Sequence, residues 1–136
     1  MNREDLKNYK YNHRWIKGRL EYIEEYKSYL TKTTNVISDM PKGNKQIQDG
    51  MAEKIATLMD SLDELLEKIV KEQEKQKKLL EQLEYVEQPY RTILEEHYIK
   101  GKTLVKVACD LEYNYEYTKK ANAIGLKKFE EIKNFP

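Results

Sequence analysis

Apolar residues recur along this chain at three- and four-residue steps, which predicts helices from one end to the other and no strands. Over residues 3–37 one stripe runs through Leu6, Tyr9, His13, Ile16, Leu20, Ile23, Lys27 and Leu30. Trp15, Tyr22, Tyr26 and Tyr29 widen it. Gly18 is a weak point in that helix, costing about 1 kcal/mol against Ala. The pattern stops at 38–50, where Ser38-Asp39-Met40-Pro41-Lys42-Gly43-Asn44-Lys45 brings Pro, Gly and Asn together. This connector lets the first helix fold back antiparallel on a second. Its lysines, Lys42 and Lys45, read as solvated loop residues more readily than as phosphate contacts.

Residues 51–87 predict the second long helix, roughly 55 Å at the standard rise. In a heptad frame Ile55, Leu62, Ile69, Gln76 and Leu83 share one core position, and Leu58, Leu65, Glu72, Leu79 and Val86 share the other. The seam is apolar at both ends and polar in the middle, at residues 72–78. That predicts two packing regions. The first half packs on the N-terminal helix or on another copy of the chain, and the second half supports the C-terminal segment.

Residues 88–129 read as three helices with two short breaks. Pro89 suits the first turn of a helix in which Ile93, Leu94 and Tyr98 lie near one face. Gly101 takes the left-handed position after its end. Thr103 caps a short helix whose apolar residues are Leu104, Val107, Ala108 and Leu111. Asn114 caps a third helix, with Thr118, Ala121, Gly125, Leu126 and Phe129 turned inward. The small residues Ala108 and Ala121 let these two helices cross closely. A short helix, a tight turn and a longer helix make the helix-turn-helix plan, whose second helix enters the DNA major groove. The expected fold is all-α: a long antiparallel helical hairpin or coiled-coil arm over 1–87, then a DNA-binding domain over 88–136.

The segment Thr103-Leu104-Val105-Lys106-Val107-Ala108-Cys109-Asp110-Leu111-Glu112-Tyr113-Asn114, with the helix after it up to Phe129, resembles region four of bacterial sigma factors. The likeness covers about the last 45 residues, and it implies binding of a promoter-like duplex. Two positions depart from the family pattern. Glu112 stands where the turn has glycine, so a left-handed residue there would be strained. Tyr115, Glu116, Tyr117, Lys119 and Lys120 stand where the family is rich in arginine, so a different target sequence is implied. The whole chain also resembles small regulators of phages and prophages of Gram-positive bacteria, including the ArpU-type late-transcription regulators; Asp39-Met40-Pro41-Lys42-Gly43 is part of that likeness.

Charge and chemistry narrow the picture. The 136 residues carry a formal net charge of only +1, with 36% charged and 39% hydrophobic side chains. Both ends are mildly basic and the middle is acidic, which suits a structural helix between ends that meet a polyanion. The 11 tyrosines read as packing residues with their hydroxyls at the edge, rather than as a base-stacking platform. One cysteine, Cys109, excludes an intrachain disulfide, reads as a small buried hydrophobe and fits a reducing cytoplasm. The charged N-terminus predicts no signal peptide, and no apolar run approaches the ~20 residues of a membrane span. His13 and His97 lie far apart, each without a second ligand at metal-binding spacing, and Glu95 and Glu96 point in different directions on a helix. Neither an enzyme nor a metal, cofactor or small-molecule substrate is expected.

The expected DNA contacts lie on the second helix of the motif and at the start of the first. Glu116 can accept from a cytosine amino group, Lys119 can reach guanine, and Lys120 or Asn122 can meet phosphate or a base edge. Tyr115 faces outward beside them. Lys102, Thr103 and Lys106 are candidates for backbone contact, aided by the helix dipole. A phage DNA-binding transcription regulator is thus the leading expectation. Two others stay open: a module that binds RNA polymerase or a sigma factor, and a packaging component such as a small terminase subunit. A homodimer fits the thin core of two long helices.

Overall fold

The computed structural model of the chain describes residues 1–38 and 45–133. Among these the regular structure is helical throughout, without a strand. Helix α1 (Arg3–Lys7) opens in a capping box: the Asn2 side chain accepts from the Asp5 amide, and the Asp5 carboxylate accepts from the Asn2 amide. A turn at Asn8 separates it from α2 (Tyr9–Ser38), so the single N-terminal helix expected from the periodicity is two. Helix α3 (Lys45–Glu84) begins earlier than the pattern suggested, so residues 45–50 are helical and not connector. The Asp39–Gly43 stretch that carried part of the phage-regulator likeness lies outside the described residues. Helices α4 (Tyr90–Leu94), α5 (Leu104–Leu111) and α6 (Tyr115–Glu131) come after it, and α4 runs on into a π-helical turn at Glu95–Ile99.

The chain forms two compact units. One joins Met1–Arg14 to Gln73–Pro136, and the other is Trp15–Glu72. The division falls at the polar middle of the α3 seam and not at residue 87. Leu79, Leu83 and Val86 of the α3 end share one core with Leu6, Tyr9, Leu94, Leu126 and Phe129. The segments on either side of residue 87 are therefore held together by apolar burial.

In the Trp15–Glu72 unit, Ile16, Ile23 and Leu30 of α2 cluster with Leu62 and Ile69 of α3. Each set repeats every seven residues. Only part of the expected stripe is buried: His13, Leu20 and Lys27, which fill the intervening steps, are exposed. A helix resting on one neighbour needs only a narrow seam, whereas a helix on a broad core buries a wider face. Leu58, Leu65, Trp15 and Tyr26 flank the seam, half-buried.

In the other unit α6 is the central helix. Phe129 is fully buried among Leu6, Leu83 and Leu94. Gly125 lets α6 approach α4: a Cβ there would lie 3.2 Å from Leu94 Cγ and 3.3 Å from Tyr90 Cβ. Gln82, fully buried on α3, ties three segments together. Its Nε2 donates to the carbonyls of Phe129 (2.7 Å) and Met1 (3.0 Å), and its Oε1 accepts from the Met1 amino group at 3.0 Å. Arg3 adds an ion pair to Glu130.

Candidate nucleic-acid interface

The α5–α6 segment is fixed by local hydrogen bonds that its sequence dictates. Gly101, at φ 74°, ends the preceding π-turn in the left-handed conformation expected of it. The Thr103 hydroxyl accepts from the Lys106 amide at 3.2 Å and caps α5. Val107 and Ala108 turn inward, so the next residue, Cys109, points out; it is exposed and not packed. A 100° step per residue separates neighbours on a short helix, and the apolar run Val107-Ala108-Cys109 did not fix which one faces out.

Helix α5 ends in a Schellman motif. The Tyr113 amide donates to the Ala108 carbonyl at 2.9 Å and the Glu112 amide to the Cys109 carbonyl at 3.3 Å. Glu112 supplies the left-handed residue, at φ 58° and ψ 38°. The departure from glycine therefore falls on a position that needs positive φ. Asn114 then caps α6, its side chain accepting from the Glu116 amide at 2.8 Å. Thr118 is fully buried, its hydroxyl donating to the Asn114 carbonyl at 3.0 Å. With Ala121, Gly125, Leu126 and Phe129 also buried, the phase of α6 is set.

That phase decides which side chains are presented. Glu116, Lys120, Ala123 and Lys127 fall at successive three- and four-residue steps on the exposed face, with Tyr115 and Lys119 exposed toward one side of it. Lys127 was missed in the sequence because it sits among the inward-facing residues Gly125, Leu126 and Phe129, more than three turns from the capped end; its spacing from Lys120 was the available signal. Among the described residues neither Lys119, Lys120 nor Lys127 forms an ion pair. Asn122 falls on the inner side, four residues after Thr118. It is half-buried, and its Nδ2 donates to the Tyr98 hydroxyl at 3.2 Å. Its amide is thus engaged inside the unit and turned from the exposed face.

The lysines at the start of α5 are engaged too. Lys102 Nζ lies 2.6 Å from Glu96 and 3.0 Å from Asp110, Lys106 pairs with Asp110 at 3.1 Å, and Lys100 pairs with Glu96 at 2.8 Å. Three cations thus share two carboxylates. Hydrogen bonds from Lys100 and then Lys102 hold Glu96 below the usual carboxylate range. Those from Lys102 and then Lys106 do the same for Asp110. Bonding to Glu96 and then Asp110 raises Lys102. The π-turn contributes His97, whose Nδ1 lies 2.6 Å from the Lys102 carbonyl; a carbonyl only accepts, so Nδ1 carries the proton.

Exposed apolar groups lie on the same two helices: Val105 on α5, Tyr113 in the turn, and Tyr117 and Ile124 on α6. Tyr113 and Tyr117 meet edge to face with ring centroids 5.2 Å apart. Among the described residues no group of three or more His, Cys, Asp or Glu is placed to hold a metal ion, and no helix is long and apolar enough to cross a membrane. Comparison with protein-family models, curated proteins and solved structures finds no match to the chain.

Proposed function

We propose that this chain is a DNA-binding transcription regulator of the phage type, with α5, the turn and α6 working as a helix-turn-helix and α6 as the helix that enters the major groove. One observation carries this reading. The N-capped helix α6 is locked in phase by Thr118, Ala121 and Gly125, and it presents Glu116, Lys119, Lys120 and Lys127 outward. Rigid placement of a few polar groups on one helix face is what base readout needs. Lys119 is suited to guanine and Glu116 to a cytosine amino group, while Lys120 and Lys127 are spaced to meet backbone phosphates. Lys102 and Lys106 add little, because Glu96 and Asp110 already compensate them. The resemblance of this segment to sigma region four supports the same placement.

Two or three phosphate contacts imply weak salt dependence. The logarithm of duplex affinity should fall against the logarithm of salt concentration with a slope of about −2 to −3, each contact releasing about 0.9 counterion. A slope near zero, or no duplex binding at low salt, would remove the proposal.

A second reading has its own observation. The exposed Val105, Tyr113, Tyr117 and Ile124 are an apolar group of the kind that meets protein, and tyrosine is enriched at such surfaces. A module that binds RNA polymerase would use them with little contribution from the lysines. Retained polymerase binding by a Lys119→Ala, Lys120→Ala variant, together with no duplex binding by the intact chain, would favour it.

A further inference from the structure

The compact unit that holds α6 also holds residues 1–14. Their basic side chains, Arg3, Lys7, Lys10 and Arg14, fall at steps of four, three and four residues, which is one face of a helix. The turn at Asn8 keeps that phase. Asn8 has right-handed backbone angles, its amide donates to the Glu4 carbonyl at 2.9 Å, and its carbonyl accepts from the Asn12 amide at 3.0 Å. Both are four-residue helical bonds, so the face of α1 carries on into α2. Leu6 and Tyr9, on a separate face, are buried in the core they share with Leu126 and Phe129.

The stripe begins at the edge of α6. The Arg3 amide donates to Glu130 Oε1 at 3.1 Å, and the Arg3 guanidinium pairs with the same carboxylate. The side-chain bond from Arg3, then its amide and the charge of Lys7, hold Glu130 below the usual carboxylate range. Glu130 lies three residues after Lys127, so the two are neighbours on α6 and the stripe continues its exposed cationic face. Lys10 and Arg14 are both exposed, and among the described residues neither forms an ion pair. No acidic side chain stands between Lys7 and Arg14. The acids just before them are engaged: Glu4 lies 3.9 Å from Lys7, and Asp5 closes the cap of α1. The end of α3 that packs on this segment, residues 73–84, carries three glutamates and three lysines, so it leaves the charge of the stripe uncompensated.

We propose that Lys10 and Arg14 hold the phosphate backbone of a DNA duplex on the flank of the base pairs that α6 meets. The inference rests on the groove role proposed for α6 and extends it. A cationic face free of acids selects a polyanion. From Lys7 to Arg14 the helix advances about 10 Å, the length of about three base-pair steps. The Arg3–Glu130 pair and the shared core of Leu6 and Phe129 fix the stripe to the groove helix, as suits contacts that set register on a duplex. Tyr11, exposed beside the two cations, adds a hydroxyl that can donate to phosphate.

Fluorescence-anisotropy titration of a labelled mixed-sequence duplex, several helical turns long, tests this over a series of salt concentrations. The contacts of α6 alone should give a slope of about −2 to −3 in log affinity against log salt, and Lys10 and Arg14, at about 0.9 counterion each, should steepen it to about −4 to −5. A Lys10→Gln, Arg14→Gln variant should return the slope to that of α6 alone and bind about tenfold or more weakly near physiological salt. The exchange Lys10→Arg, Arg14→Lys keeps both charges and should match the intact chain. A glutamine variant with the intact chain's slope would overturn the inference and leave the role of α6 standing, since that role is read from loss of binding by Lys119→Ala, Lys120→Ala. Equal loss in the charge-preserving variant would also overturn it, as a structural effect. So would a loss confined to single-stranded RNA, which would assign the stripe to RNA. No duplex binding by the intact chain at low salt would remove both readings.

Discussion

At the scale of single residues, the structure turns on a few side chains whose partners are far away or whose backbone is unusual. Glu112 holds a left-handed conformation that costs an L-residue roughly 1–2 kcal/mol and glycine almost nothing. Glu112→Gly should therefore stabilise the chain by about 1 kcal/mol and raise its melting temperature; an unchanged or lower melting temperature would mean that the Glu112 side chain compensates the strain. Gln82 is the opposite case. Gln82→Ala removes the donor to the Phe129 and Met1 carbonyls in a buried setting, and should cost about 2 kcal/mol in a denaturant titration. The strain at Glu112 was legible in the sequence, because turn chemistry is local. Gln82 was not, because its partners lie 81 and 47 positions away and no spacing along α3 marks them. Asn122 and Cys109 were assigned to the wrong side of their helices for a related reason. A polar or small residue beside the inner face of a helix fits either side until its neighbours are known.

At the scale of elements, caps and periodicity carried most of the outline. Thr103, Gly101 and Asn114 mark ends because each solves a problem of unpaired backbone groups that the helix itself creates. The five residues expected to face inward on α6 are all buried, since the apolar and small positions there repeat at the helical period. The π-helical turn after α4 left no such trace: Glu95-Glu96-His97-Tyr98-Ile99 has no residue that favours a five-residue over a four-residue hydrogen bond. Nor did the narrowness of the α2 seam, which depends on how many neighbours the helix has. The α4–α6 approach gives the sharpest element-scale test. Both atoms facing Gly125 sit close to their own backbones and have little room to retreat. Gly125→Val should cost about 1–3 kcal/mol through overpacking, outweighing its gain over glycine in helix propensity. A neutral result in thermal unfolding would mean that α4 can move away from α6.

At the scale of the whole molecule, charge is nearly balanced and its placement matters more than its sum. Glu96, Asp110 and Glu130 are all held below their ordinary range by hydrogen bonds from Lys100, Lys102 and Arg3, respectively. A carboxylate with a depressed folded-state value stabilises the fold at pH above its unfolded value and loses that contribution as pH falls through the folded one. Stability should thus be flat near neutrality and decline below about pH 4, the ordinary carboxylate region, with the loss partly blunted by salt because these pairs are only partly buried. A decline that began well above the carboxylate region would contradict this assignment to Glu96, Asp110 and Glu130. The same three-lysine, two-carboxylate arrangement shifts the proposed DNA contacts from the start of α5 to the outer face of α6, where Lys119, Lys120 and Lys127 stand.

Selection from a random duplex library at near-physiological salt, with the intact chain and with a Lys119→Ala, Lys120→Ala variant, bears most directly on that placement. The intact chain should enrich a short common sequence, and the variant should enrich none while keeping its helicity. Enrichment of the same sequence by both, or by neither, would contradict a groove-reading role for α6.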